Sequence, residues 1–202
     1  MSGNARSRAF SLVELLVVIG IVTILIGLLL PSLGRAKRQA RQVACLSNLR
    51  QVGTSLMVYA HFNKGWVFPP LRHGGLPRPE RWPNFVFKPA QWNPPVLLCP
   101  DDLEPAEEHS YVLNDHLYLH GVRYFSKNLG RPASDVVVMG EKRSVEGDYY
   151  MNRGDFDRVV EPYRHGPRLG SNYLFLDMHA GTAPKSVAIA GLDPWDVPAT
   201  PQ

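Results

Sequence analysis

The sequence predicts an α+β fold in which one long N-terminal helix packs on a small antiparallel β-sheet head. Residues 10–30 form an unbroken apolar run with one charged residue, Glu14, near its start. After Pro31, apolar side chains recur at three- and four-residue steps as far as Tyr59, which is the period of an amphipathic helix. The later chain holds short strand-like runs separated by glycines and prolines; they are residues 97–99, 111–113, 117–119, 136–139, 173–176 and 187–189.

The apolar run is long enough to cross a bilayer. As a helix, residues 10–30 would extend roughly 30 Å, which is the thickness of the hydrocarbon core. A secretory signal peptide is one alternative, but this run is longer than a signal's apolar region and no small-x-small cleavage site closes it. An ordinary anchor explains the length and leaves Glu14 unexplained, because a charge at membrane depth is costly and usually marks function.

Composition and motifs argue against two broad classes of function. The chain has 202 residues and a formal net charge of +4, and its basic residues crowd just after the apolar run. A basic cluster in that place favours lipid head groups over nucleic acid, and no nucleic-acid-binding motif accompanies it. No nucleophile elbow, phosphate loop or His-Glu-x-x-His motif is present, so we do not expect an enzyme.

The start of the apolar run has a specific resemblance. Ala9-Phe10-Ser11-Leu12-Val13-Glu14 resembles the processing site of type IV prepilins and type II secretion pseudopilins, in which a small residue, usually Gly, precedes the Phe. The resemblance implies that prepilin peptidase cleaves between Ala9 and Phe10 and that the new N-terminus, Phe10, is methylated. Ala9 here replaces the usual Gly, and Pro31 stands where many family members have a helix-kinking proline.

The resemblance also implies a role for Glu14 in assembly. After cleavage Phe10 would carry a cationic amine, with Glu14 one helical turn deeper. A lone carboxylate in the membrane is costly unless it is paired, and the amine of a second copy could pair with it and set the axial register. The alternative is a Glu14 side chain that reaches the membrane interface by itself.

The residue pattern and the family resemblance together predict five segments along the chain. They are a leader at 1–9, a hydrophobic transmembrane and assembly helix at 10–32, an amphipathic second half of the helix at 33–63, an extracytoplasmic α+β head at 64–190 and a loose tail at 191–202. The protein is then expected to cross the inner (cytoplasmic) membrane once, with its head in the periplasm or another extracytoplasmic space. Lys and Arg are more numerous after the run than before it, which by the positive-inside rule alone favours the opposite orientation.

The function implied is that of a structural subunit of a type II secretion pseudopilus or a type IV pilus-like filament. Its expected partners are prepilin peptidase, other copies or related pseudopilins, an inner-membrane assembly platform, and membrane lipid before assembly. No nucleic acid and no cofactor are expected, apart from the candidate calcium or zinc sites considered next.

One candidate metal site lies near the C-terminal end of the head. Arg164-His165-Gly166 followed by residues 172–179 resembles the end of a large prepilin-like family, with Met178 where that family has Gly. The side chains of His165, Asp177 and His179 suit zinc or a similar ion. The alternative is a hydrogen-bonded His–Asp pair that ties the strand end to the preceding loop. A singly anchored extracytoplasmic enzyme or binding module using these three residues is the alternative function.

A second candidate is an acidic loop. Its carboxylates could bind calcium, which prefers oxygen ligands, although their spacing fits no EF-hand; they are Glu146, Asp148, Asp155 and Asp157. Solvated acids without an ion are the alternative.

The two cysteines, Cys45 and Cys99, leave two states open. They could pair as a disulfide if the head lies outside the cytoplasm. Two unlinked thiols are the alternative, since a sequence gives no Cα separation.

Overall fold

The computed structural model describes residues 11–67, 81–87, 95–119, 121–124, 126, 129–151 and 154–183. The predicted leader, the predicted tail and the strand-like run at 187–189 lie outside these described residues. The chain divides into two compact units, residues 1–39 and 40–202. The part of the long helix from residue 40 onward therefore groups with the head in one unit.

Helix α1 spans Leu12–Phe62 and continues through Pro31. Its C-terminal end is closed by backbone geometry: the Gly65 N–H donates to the Ala60 carbonyl at 2.8 Å, and Gly65 has φ +86°. A left-handed glycine just beyond the last turn is a common way to satisfy the final carbonyls of a helix. The Asn63 side-chain amide adds a bond to the Tyr59 carbonyl at 2.8 Å.

Within the second unit, one stripe of α1 is fully buried. Its members recur at three- and four-residue steps and are Cys45, Leu49, Val52, Leu56 and Ala60, each 0% exposed. The sequence predicted that this stripe begins at Leu33, but Leu33 and Val43 are 65% and 59% exposed. The buried part of the helix therefore begins later than the apolar periodicity indicates.

The head contains a five-stranded sheet in the order β3-β1-β2-β4-β5. The strands are β1 Tyr111–Asn114, β2 Val137–Glu141, β3 Tyr150–Met151, β4 Ser171–Phe175 and β5 Ala180–Ala183. The pairs β1·β2, β2·β4 and β4·β5 are antiparallel, and the short β3 pairs in parallel with β1. The predicted α+β class, a long N-terminal helix plus a small and mostly antiparallel sheet, is confirmed.

Short helices fill the connections. They are α2 Trp82–Val86, α3 His116–Leu119 and α4 Phe156–Val159, with 3-10 turns at Pro95–Leu97, Ala106–Glu108 and Ala133–Asp135. Strands were predicted at 97–99 and 117–119, and both predictions are wrong. The first run follows two prolines, Pro94 and Pro95, which cannot donate to a strand ladder. The second run begins a helix because the Asn114 side-chain oxygen accepts the His116 N–H at 3.1 Å, as a capping side chain does.

The sheet separates two buried clusters, because successive side chains of a strand point to opposite faces. Tyr111 and Leu113 of β1 join the buried side chains of α1 in the larger cluster. Val112 between them joins the smaller cluster, which also contains Met151, Val159, Val160 and Tyr173. The larger cluster fixes α1 against the sheet and so brings Cys45 to the end of β2.

Candidate functional site: the N-terminal helix and a buried polar cluster

Glu14 takes part in the cap at the start of α1. Its Oε2 accepts the Ser11 N–H at 2.9 Å, and the Ser11 hydroxyl accepts the Val13 N–H at 3.4 Å. This pattern is a form of the capping box in which the Ser11 hydroxyl accepts from the second helical residue, and it satisfies amide donors that have no partner inside the helix. The carboxylate also lies in the first turn, where the helix dipole favours negative charge. The predicted cleavage site, Ala9 and Phe10, lies outside the described residues.

Residues 12–40 of α1 are exposed throughout. Among the large apolar side chains of this stretch, Leu12 is 78% exposed and Leu28 is 71% exposed. Of the described residues, α1 alone is a helix long and apolar enough to cross a membrane, by length and composition. A continuous apolar surface of this extent needs lipid or other chains to cover it.

The hydroxyl groups inside this apolar surface are satisfied within the helix. Thr23 donates to the Ile19 carbonyl at 2.6 Å, and Ser32 donates to the Leu29 carbonyl at 2.7 Å. Because an unsatisfied polar group is costly in hydrocarbon, these bonds let Thr23 and Ser32 face lipid or a neighbouring helix.

A buried polar cluster lies where α1 meets the end of β2. Cys45 of α1 and Cys99 form a disulfide with an S–S distance of 2.06 Å. Glu141, the last residue of β2, is 0% exposed, and His165, in the turn before β4, is 6% exposed. The ligand atoms of these four residues lie within 4.8 Å of one another.

The contacts within the cluster are short. Glu141 Oε1 lies 2.9 Å from His165 Nε2 and 3.0 Å from Cys45 Sγ. The other carboxylate oxygen of Glu141 accepts the Asn172 N–H at 2.9 Å. His165 Nδ1 lies 2.7 Å from Asp101 Oδ2. Burial by itself lowers the pKa of His165, but hydrogen bonds and charge attraction from Glu141, then Asp101, outweigh it and raise that pKa above its ordinary value.

Cationic side chains surround the acids at the edge of the cluster. Arg41 approaches Asp101 at 3.3 Å, and Arg164 approaches Asp102 at 3.2 Å. Arg164 also donates to the Ser144 hydroxyl at 2.9 Å. Buried carboxylates are tolerated when they are paired in this way.

The structure does not bring the three predicted zinc ligands together. His165 belongs to the buried cluster, which includes neither Asp177 nor His179. Asp177 Oδ1 lies 2.6 Å from His179 Nδ1, with the two side chains 40% and 46% exposed. The His179 ring stacks on Phe175 at a centroid distance of 4.3 Å, so this pair braces the turn between β4 and β5.

Met178 closes that turn in a left-handed conformation, with φ +65°. This is the position where the resembling family has Gly, which adopts such a φ without strain. The Met178 N–H donates to the Phe175 carbonyl at 2.9 Å, so the tight turn forms despite the side chain.

The predicted calcium loop is bridged by an arginine. The Arg158 guanidinium lies 2.6 Å from Glu146 and 2.9 Å from Asp148. It also lies 3.5 Å from Asp155. The positive charge among three of the four candidate calcium ligands is therefore supplied by the chain itself.

Sequence reasoning missed two members of the buried cluster, Glu141 and Asp101. Glu141 follows the apolar run of residues 136–139 after a single glycine, and a carboxylate that closes a buried strand is a usable signal, since it needs a partner. Asp101 comes two residues after Cys99, in an acidic pair that looks like an ordinary solvated turn.

Comparison with known proteins identifies the N-terminal part of the chain. Residues 4–30 match the model of the prokaryotic N-terminal methylation motif. No curated protein and no solved structure matches the chain. The matched residues include the capping box at Ser11 and Glu14 and most of the exposed apolar helix. The chain therefore carries, at its N-terminus, the methylation motif that is the hallmark of type IV prepilin- and pseudopilin-like proteins.

Proposed function

We propose that this protein is a structural subunit of a type II secretion pseudopilus or a related type IV pilus-like filament. The observation that carries the proposal is the coincidence of the methylation motif at residues 4–30 with an exposed apolar helix that begins at Leu12. Such a motif favours a structural subunit over an enzyme.

In this proposal the apolar helix has two successive environments. It first crosses the inner membrane once, with the head on the periplasmic side, and the Cys45–Cys99 disulfide supports that side because disulfides persist in oxidising compartments. Prepilin peptidase then cleaves between Ala9 and Phe10, and the Phe10 amine is methylated. An inner-membrane assembly platform finally packs the helix against copies of itself or related pseudopilins.

Glu14 supplies the axial register between subunits. Its carboxylate accepts an amide N–H of its own chain, and the same charge attracts the cationic amine of Phe10 on a neighbouring subunit. Pairing removes the cost of two separate charges in an apolar setting. The cap orients the carboxylate, and the neighbour's amine neutralises it.

Mass spectrometry of the mature protein tests the processing step. A chain that begins at methylated Phe10 is the expected result. A mature chain that keeps its first nine residues would contradict the proposal and would favour a singly anchored extracytoplasmic binding module.

Two substitutions separate the cap from the charge. Glu14→Gln keeps an oxygen that can accept the Ser11 N–H but removes the charge, whereas Glu14→Ala removes both. We expect both variants to be processed and to fail to assemble, as measured by shearing and sedimentation of filaments or by secretion of a pseudopilus-dependent substrate. Glu104→Gln, on an exposed loop residue, is the matched control. Normal assembly of Glu14→Gln would show that capping suffices and that charge pairing is wrong.

A further inference from the structure

We propose that Cys45, Cys99, Glu141 and His165 bind one divalent metal ion of the zinc class when the disulfide between the two cysteines is reduced. The four residues come from four separate segments, all four are buried, and their ligand atoms lie within 4.8 Å of one another. Two thiolates, an imidazole and a carboxylate form a donor set that suits Zn²⁺. Four protein ligands would complete a tetrahedral sphere, as in structural zinc sites.

The first argument is that the donor atoms of the four residues converge in one buried space. Glu141 Oε1 lies 3.0 Å from Cys45 Sγ, and a disulfide sulfur has no hydrogen to donate. His165 Nε2 faces Glu141 Oε1 at 2.9 Å and also the Asn172 amide nitrogen at 3.0 Å. That nitrogen is assigned as a donor, because the Asn172 side-chain oxygen accepts the Thr182 hydroxyl at 2.8 Å. In the reduced state, a cation that replaces the Nε2 proton of His165 and the thiol proton of Cys45 would contact the nitrogen, the oxygen and the sulfur together.

The second argument is that the atoms of His165 and Glu141 that point away from the cluster centre already have hydrogen-bond partners, which fix the orientation of both side chains. His165 Nδ1 lies 2.7 Å from Asp101 Oδ2, which keeps a proton on Nδ1 and turns Nε2 toward the centre. A carboxylate behind the distal nitrogen is the usual support of a metal-bound histidine. Glu141 is held in the same sense, because its Oε2 accepts the Asn172 N–H at 2.9 Å while Oε1 points at the cluster.

The distances require a small expansion of the cluster. Metal–ligand bonds of about 2.0–2.3 Å in a tetrahedron place the donor atoms about 3.3–3.8 Å apart. The two sulfurs would separate from 2.06 Å, and the contacts of Glu141 with His165 and Cys45 would lengthen by several tenths of an ångström. The cysteine Cα atoms are 5.0 Å apart, so side-chain rotation supplies the sulfur movement.

The change of state is a thiol–disulfide exchange followed by metal binding. A dithiol reductant gives two electrons and two protons to the Cys45–Cys99 bond, which breaks to two thiols while the reductant forms its own disulfide. When M²⁺ binds, both thiols release their protons to solvent as two metal–sulfur bonds form. An imidazolium at His165 likewise releases its Nε2 proton. The head thus keeps a link between α1 and the Cys99 loop in both states, covalent when oxidised and through the metal when reduced.

The test uses the full chain in detergent, reduced with dithiothreitol and desalted without oxygen. Co²⁺ is the probe, because tetrahedral Co²⁺ bound to thiolates gives sulfur-to-cobalt charge-transfer bands and strong visible bands. We expect one Co²⁺ per reduced chain, displacement by Zn²⁺, and no such bands from the oxidised chain. Circular dichroism follows the fold in parallel, and a reduced chain that has unfolded should refold on addition of Zn²⁺ but not of Mg²⁺.

Variants separate ligands from bystanders. Cys99→Ser should abolish the charge-transfer bands or cut their intensity to about half, and Asp101→Asn should keep the bands while weakening affinity about 10–100-fold. Asp177→Asn, which alters the exposed His179 pair, is the matched control and should bind like the unmodified chain. The proposal is overturned if the reduced chain gives no thiolate bands and no Zn²⁺-dependent refolding. It is also overturned if the oxidised chain binds equally well, or if Asp177→Asn loses as much affinity as Asp101→Asn.

Discussion

His109 should make the stability of the head depend steeply on pH in mild acid. Its side chain is 1% exposed, and its ring stacks on Tyr149 at a centroid distance of 3.7 Å. Its ring nitrogens lie 3.2 Å from the Glu107 carbonyl and 3.1 Å from the Asp148 carbonyl. Burial, reinforced by the nearby positive charge of Lys142, lowers the pKa of His109 to about 3 against the weaker opposing effect of those two carbonyls.

The size of the effect follows from proton linkage. The unfolded chain takes up a proton on His109 as the pH falls below about 6.5, whereas the folded chain does so only near a pKa of about 3. His109 therefore does not oppose folding at neutral pH, and stability is lost between these two values at about 1.4 kcal/mol per pH unit. The loss amounts to about 1.4 kcal/mol at pH 5.5 and about 2.7 kcal/mol at pH 4.5.

Urea unfolding of the full chain in detergent measures this loss. Because other acids titrate in the same range, the informative quantity is the difference in unfolding free energy between the unmodified chain and His109→Phe. Between neutral pH and pH 4.5, the free energy of unfolding of His109→Phe should rise by about 2.7 kcal/mol relative to that of the unmodified chain. His61→Gln, at an exposed histidine near the end of α1, controls for the loss of one imidazole. A difference for His109→Phe that stays constant over this range would refute the reasoning.

Three further changes test the packing of α1 and the sheet by urea unfolding. Gly53→Ala should destabilise the head by about 1 kcal/mol, because the new Cβ would lie 2.7 Å from Leu174 Cδ1. Such overpacking costs about 1–3 kcal/mol, whereas the gain in helix propensity is up to about 1 kcal/mol. A higher urea midpoint for the variant would contradict this prediction. Joint replacement of Cys45 and Cys99 by Ala, measured with a chelator present, should lower the free energy of unfolding by up to about 4 kcal/mol, because the disulfide closes a loop of 54 residues in the unfolded chain. An unchanged urea midpoint would count against the crosslink. Asn114→Ala should lower the free energy of unfolding by about 1–3 kcal/mol, because the fully buried side-chain amide donates to the Val137 carbonyl at 2.9 Å. A loss below about 0.5 kcal/mol would show that this hydrogen bond is dispensable.

The parts of the fold that depend on local pattern could be predicted from the sequence. The 10–30 run and the spacing after Pro31 predicted one helix, and α1 indeed spans Leu12–Phe62. Strand-like runs predicted β1, β2 and β4, but the same signal failed at 97–99 and 117–119, where prolines and a capping side chain favour a turn and a helix. The parallel β3, Tyr150–Met151, has two residues and no pattern of its own; it exists because β1 offers a free edge.

The buried cluster could not be predicted from the sequence, because it does not depend on a local pattern. Cys45, Cys99, Glu141 and His165 are far apart in the sequence, and only tertiary packing brings them within 4.8 Å. The sequence offers His165 as a candidate metal ligand or as part of a hydrogen-bonded His–Asp pair, in both cases with partners from its own neighbourhood in the chain. The ion pairs of the acidic loop could not be predicted either, because the sequence spacing does not show that Arg158 contacts both Glu146 and Asp148.

The position of the Cys45–Cys99 bond has a mechanical consequence. Cys45 is the first buried residue of α1 counted from its N-terminal end, so tension applied along the helix from that end reaches the head at a covalent bond. Because the disulfide bears this tension first, the apolar contacts of Leu49 and Leu56 do not break one after another from the N-terminal side. Single-molecule pulling on oxidised and reduced chains should therefore give a higher rupture force for the oxidised chain. In the proposed filament, a head under load should therefore unfold less readily while the disulfide is intact than after its reduction.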